Sequence, residues 1–385
     1  MKLLYEGTKK LTFLLLILGL AQTPMAGETP LQVMENPQSC LSLIDEQLWE
    51  SATEREKLLQ GISYSIKYLQ SNKAELDYQN YPIPEITRDR VYRSLIRFQE
   101  LLNTLPSQQE FQQAIESEFT CYQSVGKDGL GTVHFTGYFE PVYRASAIPT
   151  PEYPYPLYKK PSDFDSWEKP HPTRLELEGE DGLGKNTLLS GYELVWLGDR
   201  LEAFLIQVQG SARLELTDGS IMTVGYDAST DYEYVSIGSE LVKDGKFQPE
   251  EITLPVLLDY FREYPEELNK YLPRNNRLIF FRETNGAPPT GSIGVPVIGD
   301  RSIATDKTLM PPGGLVLIKT TIPYVNELGE IEMRQVSKYM LDQDTGSAIK
   351  GAGRVDIFLG SGEEAGDRAG VMSATGELYY LLLKN

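Results

Sequence analysis

Apolar residues recur at Val91, Leu95, Phe98 and Leu102, spacings of four and three that place them on one face of a helix. That period dominates from about 41 to 123, and Ser107 with Glu110 forms a capping box ahead of Phe111, predicting another helix start. A segment of helices with packing faces reads as structural support. The texture then changes. "GTVHFTGYFEPVY" alternates apolar and polar residues over 132–139, the period of a half-buried strand, and the Pro-rich "PTPEYPYPLYKKP" follows as an extended connector. "YELVWLGDRLEAFLIQVQG" reads as two strands around Gly198 and Asp199, and Asp218-Gly219 inside "RLELTDGSIMTV" predicts a hairpin, so the middle of the chain reads as a small barrel. Helices are expected over 232–243, stopping at Gly245, and over 254–264. Strands return in "RLIFF", "LVLIK", "EMRQVSKYML", "RVDIF" and "ELYYLLL", separated by turns such as Pro311-Pro312-Gly313-Gly314. The expected class is mainly β with N-terminal helices.

Composition narrows the options. At roughly 100–200 residues per domain, a chain of 385 residues has room for two or three. A net charge of −19 excludes nucleic acid as the partner, because phosphate binding needs clustered Lys and Arg. Lys9 and Lys10 precede an apolar run over 11–21 and small residues near Ala26, the pattern of a signal peptide over 1–26 and of an exported protein of the periplasm or cell envelope. The run is short for a membrane span, and membrane association through an uncleaved signal stays open. Cys40 and Cys121 both fall in the exported part, where an oxidising compartment permits a disulfide; two free thiols fit the spacing equally. Nothing in the pattern demands more than a monomer.

The candidate chemistry lies in "DQDTGSAIKGAGRVDIFLGSGEEAGDRAG", which spans 342–370. Asp342, Asp344 and Gly346 imitate the opening of a calcium loop, but Gly353 stands where the closing Glu is required. "GSGEEA" imitates a dinucleotide fingerprint, but no helix pattern follows, and Glu363 and Glu364 repel a pyrophosphate. The only histidines, His134 and His171, accompany neither a nucleophile elbow nor a metal-ligand pair. No metal or other cofactor is expected, and carboxylates are left to do the work. Glycan cleavage is a reaction they can run unaided. Asp356 stands out because Val355, Ile357 and Phe358 flank it with apolar surface that hinders ionisation; Lys350 and Arg354 are the cations able to oppose this. Structurally, Asp356 reads equally as a turn cap or an ion-pair partner.

At these residues a resemblance is recognisable. "FTGYFEPVY", "IQVQGSARLELTDGS", "YVSIGSELVKDG", "VPVIGDRSIATDKTLMPPG" and the aspartate-rich tail occur in the order of the membrane-bound lytic murein transglycosylase A family, over about 135–383. The resemblance implies a double-psi β-barrel domain, built from 27–143 and 254–385, and a smaller inserted β-barrel over 144–253, with a groove between them. It implies cleavage of the β-1,4 bond between N-acetylmuramic acid and N-acetylglucosamine in peptidoglycan strands, leaving a 1,6-anhydro ring. By motif position the catalytic aspartate falls on Asp356 and its companion on Asp344. Thr136, Tyr138, Gln207, Gln209, Ser211 and Lys350 fall on blocks that line the family's groove. The chain departs from the family in lacking a cysteine just after the signal, and in the "AGR" between Asp344 and Asp356. Two alternatives remain at this point: a hydrolase in which Asp344 or Glu140 activates water, and a wall-binding module without catalysis.

Overall fold

The computed structural model describes residues 29–79 and 81–384; the expected signal peptide lies outside them. Fourteen strands run in chain order as β1 (Leu31–Val33), β2 (Phe119–Ser124), β3 (Val133–Glu140), β4 (Val142–Ser146), β5 (Tyr155–Tyr158), β6 (Glu193–Leu197), β7 (Ser211–Leu216), β8 (Ile221–Ser229), β9 (Ile279–Glu283), β10 (Ser302–Ala304), β11 (Leu315–Val325), β12 (Ile331–Asp344), β13 (Arg354–Ser361) and β14 (Ser373–Leu383).

The first sheet has the order β1-β2-β14-β11-β12-β10-β13-β3, and β3 also pairs with β14, so six of its strands close into a barrel. Two of the barrel's pairings, β13 with β3 and β10 with β12, are parallel, and the others are antiparallel. Closure leaves no free edge within the ring. By register Phe135, Ile303, Val316, Val355, Ile357 and Tyr380 share one face of this sheet, and all are buried. The chain leaves after β3 and, across Pro141, enters the second sheet, of order β5-β6-β4-β7-β8-β9. Its end strands β5 and β9 come together, so the expected small barrel is a curled six-stranded sheet. Because β9 pairs with β8, that sheet extends to Glu283, beyond the 144–253 span expected for the insert.

Helices brace the barrel. Val91, Leu95, Phe98 and Leu102 form the buried face of helix Arg88–Thr104, and Ser107 caps helix Gln108–Glu118 by accepting from the Glu110 amide, as the spacing predicted. The expected helical stretch nevertheless ends early, since 119–124 is β2. The Cys40–Cys121 disulfide joins helix Gln38–Leu41 to β2. Arg301, fully buried beside β10, binds Asp45 at 2.6 Å and Glu54 at 2.9 Å, and Lys338 of β12 reaches Glu54 at 3.2 Å. Helices and barrel thus share one buried charge network.

Two sequence expectations fail in the same way. The second half of "YELVWLGDRLEAFLIQVQG" is helix Arg200–Gln209 and not a strand. Asp199 caps it by accepting from the Leu201 amide, and Gly210 ends it in the left-handed region at φ +81°. Residues 203–207 are all buried, and a helix covered on most sides carries little amphipathic period. Likewise Gly362 is followed by helix Glu363–Val371, where no helix was expected. Glu363 and Glu364 sit in its first turn, where the helix dipole favours negative charge. Further on, the helix expected from 232 starts at Ile237, while Leu254–Glu263 matches its expectation.

Candidate active site

Strand register gathers the aspartates. Ala304 of β10 lies opposite Asp344 of β12 on one side and opposite Asp356 of β13 on the other. Thr136 of β3 pairs with Asp356, and Tyr138 with Phe358. Adjacent strands lie about 4.8 Å apart, so the two carboxylates flank a single small residue at one level of the barrel.

Asp356 is half-buried between apolar neighbours, and its Oδ1 accepts a hydrogen bond from Thr136 Oγ1 at 2.7 Å. Burial pushes its proton affinity up, to a pKa of about 6; the Thr136 hydrogen bond and the Arg354 cation pull it down, and Asp344 pushes it up again. Arg354 does not bond to Asp356 directly. Its guanidinium donates to Thr136 Oγ1 at 3.0 Å and contacts His134 Nδ1 at 2.7 Å, so it fixes the hydroxyl that fixes the carboxyl. His134 is held well below the usual imidazole range, at about 4, by burial and by the Arg354 charge, so at neutral pH it presents a lone pair to Arg354.

Asp344 receives three donors: Tyr138 Oη at 2.8 Å on Oδ2, and the amides of Ser292 and Thr345, each at 2.8 Å, on Oδ1. Burial raises its pKa, and these donors oppose the rise. Deeper in the barrel Asp342 is fully buried, bonded by Thr305, Tyr380 and Lys307.

Four of the residues singled out in the sequence therefore meet in one place: Asp356, Asp344, Thr136 and Tyr138. Tyr138 spends its hydroxyl on Asp344 and packs its ring 5.1 Å from that of Phe358. Gln209 borders them, its Oε1 accepting from the Phe139 amide at 3.1 Å, and Ser211 opens β7 half-buried. Gln207 stands apart. It is buried within an insert network, where its Oε1 accepts from Arg174 Nη2 at 2.8 Å and its Nε2 donates to Glu178 at 3.3 Å. Lys350 is exposed on the β12–β13 loop. Glu140 is buried at the end of β3, its Oε2 accepting from Ser361 Oγ at 2.7 Å. The sequence reading missed Ser292, which comes from a distant loop with no local signal. It weighed Arg354 only as a partner of Asp356, although the two-residue spacing along one strand puts both on one face. Among the described residues no cluster of three or more His, Cys, Asp or Glu is placed to hold a metal ion. A wide cavity of about 850 Å³ among residues 72–89 contains none of these side chains.

Comparison with known proteins shows the family of the chain. Residues 134–282 match the MltA specific insert domain, and residues 301–382 match the 3D domain. The membrane-bound lytic murein transglycosylase A of Escherichia coli K12 is 30% identical over 262 residues, 68% of each chain. The chain belongs to the membrane-bound lytic murein transglycosylase A family. A homolog from Buchnera aphidicola is 27% identical over 319 residues, 82% of this chain and 84% of that one. The crystal structure of a membrane-bound lytic murein transglycosylase from Agrobacterium tumefaciens superposes with a TM-score of 0.69 at 26% identity, covering 88% of this chain and 95% of the other. Escherichia coli MltA with bound chitohexaose shares the fold, with a TM-score of 0.69 at 24% identity over 94% and 98% of the two chains. The Phe135-to-tail motif order thus reflects membership of the family.

Proposed function

We propose that this chain is a peptidoglycan lytic transglycosylase that cleaves the β-1,4 bond between N-acetylmuramic acid and N-acetylglucosamine and closes a 1,6-anhydro ring. Family membership supports the reaction class. The observation that carries the reading is Asp356, whose raised proton affinity suits a group that must first give a proton and then take one.

The neutral carboxyl of Asp356 protonates the bridging oxygen, and the bond from that oxygen to C1 of the muramic acid breaks. The resulting carboxylate removes the proton of the C6 hydroxyl of the same sugar as its oxygen bonds to C1. No water is consumed, and the aspartate ends as it began. Because nucleophile and electrophile share one ring, the effective concentration of the hydroxyl is very large once the ring is held in a suitable conformation. Thr136 and Arg354 keep the Asp356 carboxyl aimed through both transfers. Asp344 contributes negative charge beside the oxocarbenium-like centre, and its three donors fix that charge in place. Gln209, Ser211 and Lys350 provide polar groups along the groove. Gln207, already bonded on both amide atoms, acts by shaping the groove wall.

On this reading the barrel domain is formed by the segments flanking the insert, with the insert running from β4 to β9. The protein works on glycan strands as a monomer in the cell envelope. The helices among the described residues include none long and apolar enough to cross a membrane.

Mass spectrometry of murein digested by the purified protein tests the proposal. Fragments lighter by one water than reducing-end sugars are expected. Products carrying oxygen from isotopically labelled water identify a hydrolase instead, and no fragments at all identify a binding module.

A further inference from the structure

A second feature of the groove concerns charge. A small cavity of about 30 Å³, room for a group the size of one water or one carboxylate, lies where Ser347 of the barrel meets the insert. Its insert side is formed by Phe204, Val208, Tyr234 and Ile279, with Arg174 and Arg277. Arg174 is neutralised: it binds Glu178 at 2.9 Å, and its other donors go to Gln207, Asn275 and the Arg277 carbonyl. Arg277 is not. Its Nη1 donates to the Tyr232 carbonyl at 2.9 Å, its buried Nε has no acceptor, and no carboxylate among the described residues forms an ion pair with it. A guanidinium partly withdrawn from water with a free donor edge is matched by a carboxylate. Ser347 follows Asp344 by three residues, at most about 11 Å of chain, so Arg277 lies within the span of a short oligosaccharide from the reacting bond.

We infer that Arg277, with Ser347 across from it, forms a subsite for a carboxylate carried by the substrate's muramic acid units, and so distinguishes murein from uncharged glycans. The inference rests on the transglycosylase reading. Two carboxylates are available in murein: those of the peptide stem, and the lactyl carboxylate that is exposed when the stem is removed. With a net charge of −19 the protein as a whole repels an anionic strand, and Arg277 adds to Lys350 and Arg354 a cation that meets the strand's charge locally.

Binding of three probes in an Asp356→Asn background separates the possibilities: murein strands with intact stems, strands stripped by an amidase, and chitohexaose, which has no carboxylate. Arg277→Gln is expected to weaken binding of the intact strand about ten-fold, ~1.4 kcal/mol, with chitohexaose changed by less than about two-fold, and Arg277→Lys, which keeps the charge but not the planar donor edge, is expected to restore only part of the loss. If the loss follows the stripped strand instead, the lactyl carboxylate is the group bound, and the subsite stands. Equal losses on all three probes, or no loss on either charged strand, overturn it. Release of anhydro fragments by the wild type is scored separately, so failure of the catalytic reading and failure of the subsite give different results.

Discussion

Ionising Asp356 costs the native state stability, and that cost can be measured. Its folded pKa of about 6 lies above the ordinary carboxylate value, so the native state binds the proton more tightly than the unfolded chain does. Stability from this group is present below about pH 4 and is lost as pH rises through 6. Asp356→Asn should therefore raise the midpoint of thermal unfolding at pH 7 by the equivalent of ~1–3 kcal/mol, with the advantage shrinking towards pH 4. The same substitution should lower kcat on purified murein by about 10²-fold or more. Arg354 pulls the other way on this carboxyl. Replacing it with Gln removes a cation, raises the Asp356 pKa further, and should move the alkaline limb of the pH–rate profile to higher pH. If Arg354 served only packing, the profile would fall in height without moving.

At the scale of elements, strand β13 carries Asp356, the proposed acid, and its start is unforgiving. A Cβ at Gly353 would lie 2.3 Å from the Lys127 amide nitrogen, which is backbone and cannot swing aside. Gly353→Ala should therefore shift the start of β13, carry Asp356 out of register with Thr136, and cost more than about ten-fold in kcat/KM, with a lowered unfolding midpoint as the companion reading. Much of this level was legible beforehand. Alternation identified β3, the Asp218-Gly219 turn joined β7 to β8, and the heptad-like spacing marked helix Arg88–Thr104. That Asp356, Asp344, Thr136 and Tyr138 lie together follows from motifs that are local in sequence and from the register of β3, β12 and β13. What escaped was set by tertiary burial: helix Arg200–Gln209 hides its period because nearly every side is covered, and β10, three residues long, is defined only by the two strands it joins. Gln207, placed along the groove by the resemblance, is turned by that helix into the Arg174 network and lines the small cavity at Ser347. In the same tail Gly351, Gly360 and Gly362 adopt positive φ, whereas Gly353 is required by close approach.

At the scale of the whole molecule, the N-terminal helices are held to the barrel by a buried ion network and one covalent link. Arg301→Met strands Asp45 in the interior while Glu54 keeps Lys338 and Lys57, and removing one partner of such a network typically costs ~3–5 kcal/mol; chemical denaturation should show this as a lower midpoint. Replacing Cys40 and Cys121 with Ser frees a separation of 81 residues and should cost ~2–4 kcal/mol, with activity below the melting range retained, because neither residue touches the groove.

Thr136 and its carboxyl partner are separated by 220 positions, with the complete second sheet threaded between them. A nascent copy, stopped anywhere before β13, therefore possesses the cradle but no blade. The scissors exist only after the barrel has shut, which spares a cell from unfinished molecules that could nick its own wall.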